Sequence, residues 1–354
     1  SITISNSTIR YNRHAPTSGV DAFGAGVAIM SGAHWVTNTQ VYGNIIVGNG
    51  AGANAFGGGI DIQGVGSQVI NSFIYSNVIT STNAFAIGGG IAIRGNGNAS
   101  LIEGCQVMSN TVYARGLDNN TTYGEGGGIG IPPGSATRAV IRRNWIAGNV
   151  NRSVMANGGG IGLSLDATAD SIDNNVIYNN LCESPGGDDN YWGEGGGIDT
   201  WGGANEVTVT NNLILSNTVR CIGRCYGMAV VGGGMMVNGT SAAHPTRVIN
   251  NTVVGNRAEG LTNGGYGGAF GLQTNGVFAN NIMANNSCTA SGCGGAFYWI
   301  ASISAGYSVL WNNSPDDYRG GVTNLYPTDV FRDPQFLGAG DLVQQYHIGP
   351  SSPA

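Results

Sequence analysis

Apolar residues recur in this chain in short alternating runs. Ile60-Asp61-Ile62, Ile91-Ala92-Ile93, Ile129-Gly130-Ile131 and Ile161-Gly162-Leu163 each place apolar side chains at every second position. A period of two marks a strand with one face turned inward. Each run follows a glycine triplet, as at Gly57-Gly58-Gly59, Gly88-Gly89-Gly90, Gly126-Gly127-Gly128 and Gly158-Gly159-Gly160. Gly195-Gly196-Gly197 and Gly232-Gly233-Gly234 repeat it, Gly267-Gly268-Ala269 and Gly294-Gly295-Ala296 vary it, and Gly24-Ala25-Gly26 is a degraded first copy. The first glycines are separated by 33, 31, 38, 32, 37, 37, 35 and 27 residues. A period in that range belongs to a solenoid, a propeller or an array.

A second signature, Asn-Asn-x-apolar-x-x-Asn, lies between successive triplets. Its last residue recurs as Asn12, Asn44, Asn77, Asn110, Asn149, Asn180, Asn217, Asn256, Asn286 and Asn313. Asn tolerates left-handed backbone, and its amide both donates and accepts. Stacked turn upon turn, such side chains can bond into a ladder along an axis. Five residues earlier runs a second column: Thr39, Ser72, Cys105, Asn144, Asn175, Asn212, Asn251 and Asn281. Cys105 there replaces a small polar residue and reads as a buried free thiol.

A propeller blade needs four antiparallel strands joined by tight hairpins. Each period here offers two strong short strands with room for a third. The expected fold is therefore all-β, a right-handed parallel β-helix of about ten coils. Right-handedness is the default for parallel crossovers, and ten coils make a rod on the order of 50 Å long. The glycines allow the positive φ of a sharp corner. The insertions Tyr113–Tyr123 and Cys182–Gly193 become loops on one edge. The repeats occupy residues 1–313, and residues 314–354 form a capping tail over the last rung. Ser1-Ile2-Thr3-Ile4-Ser5 already alternates, so the chain reads as a mature or excised piece.

Composition narrows the setting. Apolar residues make up 41% of the chain, enough for a core, while charged residues are only 10%. The net charge is −6, and all 14 basic residues are arginine. No basic cluster suits nucleic acid, and no apolar run approaches the roughly 20 residues of a membrane span. Two close cysteine pairs, Cys221/Cys225 and Cys288/Cys293, read as disulfides of an oxidising compartment. Zinc is the alternative, weakened by the lack of a nearby His partner.

The Gly-Gly-[Gly/Ala]-[Ile/Phe] and apolar-x-x-Asn alternation resembles the parallel β-helix repeats of chlamydial polymorphic outer-membrane proteins and related bacterial surface proteins. Those repeats carry Gly-Gly-Ala-Ile and Phe-x-x-Asn, whereas here the third glycine usually stays and Ile or Val stands for Phe. The end, Asp333-Pro334-Gln335-Phe336 through Ser351-Ser352-Pro353-Ala354, is similar to that of secreted bacterial β-helix proteins finishing in Asp-Pro-x-Phe and Gly-Ser-Pro-Ala. The resemblance implies the fold and an extracellular or cell-surface location. It implies no single activity, because the scaffold hosts lyases, hydrolases, adhesins and structural proteins.

Two columns on the glycine strand are expected to face outward, one of them containing Asp61 and Asp199. Four coils separate these two, roughly 19 Å, too far for the paired carboxylates of glycoside hydrolysis. The best local cluster is Asp188, Asp189, Trp192, Glu194, Asp199 and Trp201. Glu194 and Asp199 are the catalytic candidates, and Trp192 and Trp201 could stack a sugar. The bland alternative is that Glu125 and Glu194 solvate a corner while the tryptophans pack a loop. Pectinase strings, a lysine base and a calcium cage are all missing from the sequence, and the four histidines have no ligand spacing. No cofactor or metal is expected. These features favour a structural or adhesive β-helix, stacking head-to-tail into a filament or contacting surface glycans. The alternatives are a polysaccharide lyase or hydrolase, and a non-catalytic carbohydrate-binding protein.

Overall fold

The computed structural model describes the chain except residues 17–18, 49–51, 96, 117–121, 136, 164–169, 188–190, 205, 226–229, 240–244, 261–263, 273–275, 300–303 and 319–326, and except the side chains of 201–204, 239 and 299. It is an all-β parallel solenoid. Each complete turn contributes five short strands to five sheets, here named A to E in chain order. The third turn shows the plan: Gln68–Ile70 in A, Phe73–Tyr75 in B, Val78–Thr82 in C, Phe85–Ile87 in D and Ile91–Ile93 in E. The strand pairings between turns are parallel and in register apart from a shift after Thr200, so Ile60 lies beside Ile91 and Ile74 beside Val107. Sheets A and B hold ten strands, C and E nine, and D seven. Seven turns are thus complete rather than the expected ten; the later ones lose sheet D first.

Two cores run along the rod. The main one takes one residue per turn from A and B and two from E, such as Val69, Ile74, Ile91 and Ile93, all fully buried. The second lies between C and D, with Ile79 against Ala86 in the third turn. Sheet D then folds over the outside of sheet E. Its third residue covers the middle residue of the E strand, as Ile87 covers Ala92. The sequence offered two or three strands per period because C and D are short and their loops vary.

The glycine triplet lies where these layers meet. Gly158 has φ +68°, and a Cβ there would sit 2.2 Å from the Ile161 carbonyl oxygen. A Cβ on Gly159 would meet the Gly196 carbonyl oxygen at 2.3 Å and the Leu181 backbone at 2.6 Å. A Cβ on Gly160 would press Asn180 Nδ2 at 3.0 Å. The first glycine turns the corner, and the next two let the chain pass beside strand C and the Asn column.

That column hydrogen-bonds without a break. Nδ2 of Asn12, Asn44, Asn77, Asn110, Asn149, Asn180, Asn217, Asn256 and Asn286 each donates to Oδ1 of the next Asn, at 2.9 to 3.0 Å. The backbone amide of the same residue donates to the same oxygen, and from Asn44 onward Nδ2 also reaches a strand carbonyl, such as Ile146 for Asn180. The second column bonds likewise from Asn144 to Asn281. The residue before each ladder member is the left-handed one, for example Asn174 (φ 54°) and Asn179 (φ 53°). Asn-Asn therefore combines a corner and a rung.

After Val309–Trp311 the chain covers the last turn. The Tyr318 ring stacks on Phe297 at 5.6 Å, and Val330 pairs with Ser308 and Leu310. The remainder folds back along the outside of sheet B, where Phe336, Leu342 and Tyr346 pack on Leu213, Leu215, Val254 and Ala284.

Candidate functional site

The acids singled out by the sequence do come together, but inside the protein. Asp199 is the second residue of its E strand, Ile198–Ala204, beside Gly162, and is 0% exposed, contrary to the expected outward column. Sheet D covers it. Along the third position of D, the aromatic and aliphatic residues Phe23, Phe56 and Ile87 give way to Glu125, Asn157 and Glu194 in successive turns. In the same region the middle E column shrinks to Gly130 and Gly162 before Asp199. Glu125 fills the space this opens: a Cβ on Gly162 would meet its Cγ at 2.5 Å. Glu125 is 0% and Glu194 5% exposed, so neither solvates a corner.

The second core also turns polar here. Asn151 replaces the aliphatic residue of sheet C, donates to the Gly124 and Asn157 carbonyls at 2.8 and 3.0 Å, and accepts from Ser153 at 2.7 Å. Asn157 donates to the Tyr123 hydroxyl at 3.1 Å. Burial holds the Asp199 carboxyl well above the ordinary carboxylate range, and the neighbouring Glu194 and Glu125 push it the same way; the Thr200 amide opposes them. Burial likewise raises the Cys182 thiol, which donates to the Ala156 carbonyl at 3.0 Å. A carboxyl in this setting favours its proton.

Trp192 belongs to the same wall. Its Nε1 donates to Asn157 Oδ1 at 3.2 Å, and its half-buried ring packs with Tyr123, Val154 and Met155. The Trp201 side chain, and Asp188 and Asp189 altogether, lie outside the described residues. Asp61, four turns from Asp199, is also sealed. It receives Arg94 Nε and Nη2 at 2.8 and 2.9 Å, and the Arg94 guanidinium lies over Phe23 and Phe56. Burial outweighs this partner and leaves the Asp61 carboxyl raised. The signal that could have located the cluster is the coincidence of Glu before two triplets with glycine in the middle of the adjoining strands.

Cys221–Cys225 and Cys288–Cys293 are disulfides, so the zinc alternative does not apply to them. Cys105 and Cys182 are buried free thiols, and burial pushes Cys105 up to about 12. A thiol reagent without reductant should therefore find none in the native chain and two after denaturation, rising to six after reduction. More than two before reduction would contradict the pairing. Among the described residues no three His, Cys, Asp or Glu side chains converge as a metal-ligand set, and no helix is long and apolar enough to cross a membrane. No protein-family model, no curated protein and no solved structure matches this chain.

Proposed function

We propose that the chain is a secreted or cell-surface scaffold with an adhesive role, displaying its C–D edge. One observation carries this reading: the loops at that edge are built into a wall. The Gly187 amide donates to the Arg224 carbonyl at 2.8 Å, and Ile222 to Ser184 at 3.1 Å. Farther along, the Ala290 amide donates to Gly265 at 3.0 Å. Both disulfides close loops of this edge. Turn-to-turn bonding gives varied loops a fixed surface, which a contact role requires and an internal stack does not. Disulfides also suit an oxidising, extracellular setting.

The filament form of this idea has less support. A following copy would have to displace Tyr318 and Val330, which cover the last turn. The lyase or hydrolase reading would need substrate to reach Glu194 and Asp199 beneath sheet D. The test is retention of chain-coated beads on surfaces presenting glycans and extracellular proteins. Ile222, 48% exposed on the wall, should when changed to Asp lower retention several-fold with melting unchanged. In parallel, acidic and neutral polysaccharides should show no new reducing ends or unsaturated products. Products, or no retention on any surface, would overturn the proposal.

A further inference from the structure

Sheet B carries a second outward face that the C–D edge does not involve. One row on it, in successive turns, is Gln40, Phe73, Gln106 and Trp145, held in register by the parallel pairing. Glutamine and aromatic side chains alternate along the rod. The two glutamines are exposed, Phe73 is 44% exposed, and Trp145 is half-buried. The companion row on the same strands is Tyr42, Tyr75, Met108 and Ala147. From Gln40 to Trp145 neither row contains a charge; one turn earlier Arg10 heads the companion row and donates Nη1 to the Tyr42 hydroxyl at 3.0 Å. Tyr42 and Tyr75 stack on each other at 4.6 Å; among the described residues no other ring stacks on Phe73 or Trp145.

The next strands of this sheet continue the rows as Val176, Tyr178, Leu213 and Leu215, and there the face is occupied. The C-terminal tail lies over it through Phe336, Leu342 and Tyr346. The face thus already carries one cover, a tail folded back on itself through the Phe336–Ile348 pairing, and that tail fills only its C-terminal half. In the uncovered half the pattern changes from aliphatic to aromatic with interleaved amides. Aliphatic rows suit a permanent protein cover. Aromatic rings separated by side-chain amides suit a ligand that offers apolar ring faces and hydroxyl groups together.

We propose that this uncovered face binds an extended, uncharged polysaccharide lying along the rod axis. Phe73 and Trp145 stand two strand spacings apart, roughly 9.5 Å, which is close to the disaccharide repeat of an extended β-1,4-linked glycan. They would stack on alternate sugars, while Gln40 and Gln106 bond the hydroxyls between. The four turns from Gln40 to Trp145 offer an acidic glycan no ionic partner on either row, and the one row cation, Arg10 at the first turn, is engaged by the Tyr42 hydroxyl. The proposal rests only on the extracellular setting read above and gives the rod a contact face separate from the C–D wall.

Affinity electrophoresis in native gels containing hydroxyethylcellulose, glycol chitin, galactomannan or polygalacturonate tests it. At least one neutral polymer should retard the native chain, with little dependence on salt. The Phe73→Ala/Trp145→Ala variant should lose that retardation about tenfold, and Gln106→Ala should weaken it. Trp192→Ala should retain it. Phe73→Ser/Trp145→Ser serves if the alanine pair fails to fold. Retardation by polygalacturonate alone, or equal retardation of the variant, would overturn the proposal. So would the absence of retardation in every neutral gel; if Ile222→Asp then still lowered bead retention, the adhesive reading would stand without this ligand. Retardation lost in the variant, with no bead retention, would sustain the binding face and remove the adhesive wall.

Discussion

Replacing Asn180 by alanine should destabilise the chain by about 3–9 kcal/mol, since three polar groups lose partners at about 1–3 kcal/mol for each group left unsatisfied. Asn180 Oδ1 accepts from the backbone amide and Nδ2 of Asn149, and its own Nδ2 donates to the Ile146 carbonyl. The site is 1% exposed, so water cannot substitute. Two further details sharpen the expectation. The ladder continues on both sides, so the defect lies between the fifth and sixth turns. A solenoid's stability is close to a sum of turn and interface contributions, so that interface should become a preferred opening point. Limited proteolysis should then cut near it at temperatures where the parent chain is resistant. Asn180→Asp should also destabilise, because it keeps an acceptor for Asn149 but removes the donor to Ile146 and buries a charge. Unchanged urea unfolding for either variant would show that the ladder contributes little.

The ladder was legible in the sequence because it is a repeated constraint. Ten asparagines at one place in the repeat point to a role that every turn shares, and the glycine triplets located the corners. Sheets C and D were much harder to read. Their strands are two to five residues long, and the connection between them varies in length. Their core uses small residues such as Ala55 and Ala86 that give no periodic signal. Missing sheet D had a direct consequence for the candidate site. On a three-strand plan the middle residue of sheet E faces water, and Asp199 and Glu194 look available for catalysis. With D folded over E, the same residues are interior. Trp192 misled in a similar way: its position beside the acids suggested a sugar platform, while its indole N–H is engaged by Asn157. The face of sheet B was overlooked because its residues differ from turn to turn, and only the register places Gln40, Phe73, Gln106 and Trp145 in one row.

Asp199→Asn is expected to act in the opposite direction to the ladder changes and to stabilise the protein at neutral pH. The folded chain holds Asp199 well above its ordinary range because it is buried beside Glu194 and Glu125. A raised carboxyl is neutral in both states below the unfolded value of about 4, and there its contribution is fully favourable. Above that value the unfolded chain ionises freely while the folded chain must either keep the proton or bury a charge. Stability is therefore lost as pH rises toward the folded value, at about 1.4 kcal/mol for each unit of elevation. Asp170 acts in the same sense. Burial pushes it up to about 7, against the donors Thr137 and Ala139, so its loss falls between about pH 4 and 7. Asparagine at 199 keeps the shape and has no proton to lose, so the Asp199 part of the decline should vanish while the Asp170 part remains.

Whether the acids resembling an active site are sealed into the rod is read from the melting of the parent chain and Asp199→Asn between pH 4 and 8. The parent should melt highest in mild acid and decline toward neutrality. The variant should decline less and melt higher at pH 7, by about 2–5 °C for a chain of this length. A variant that melts at or below the parent at pH 7 would contradict the sealing, because Asp199 would then be a stabilised, ionised carboxylate open to solvent or ligand.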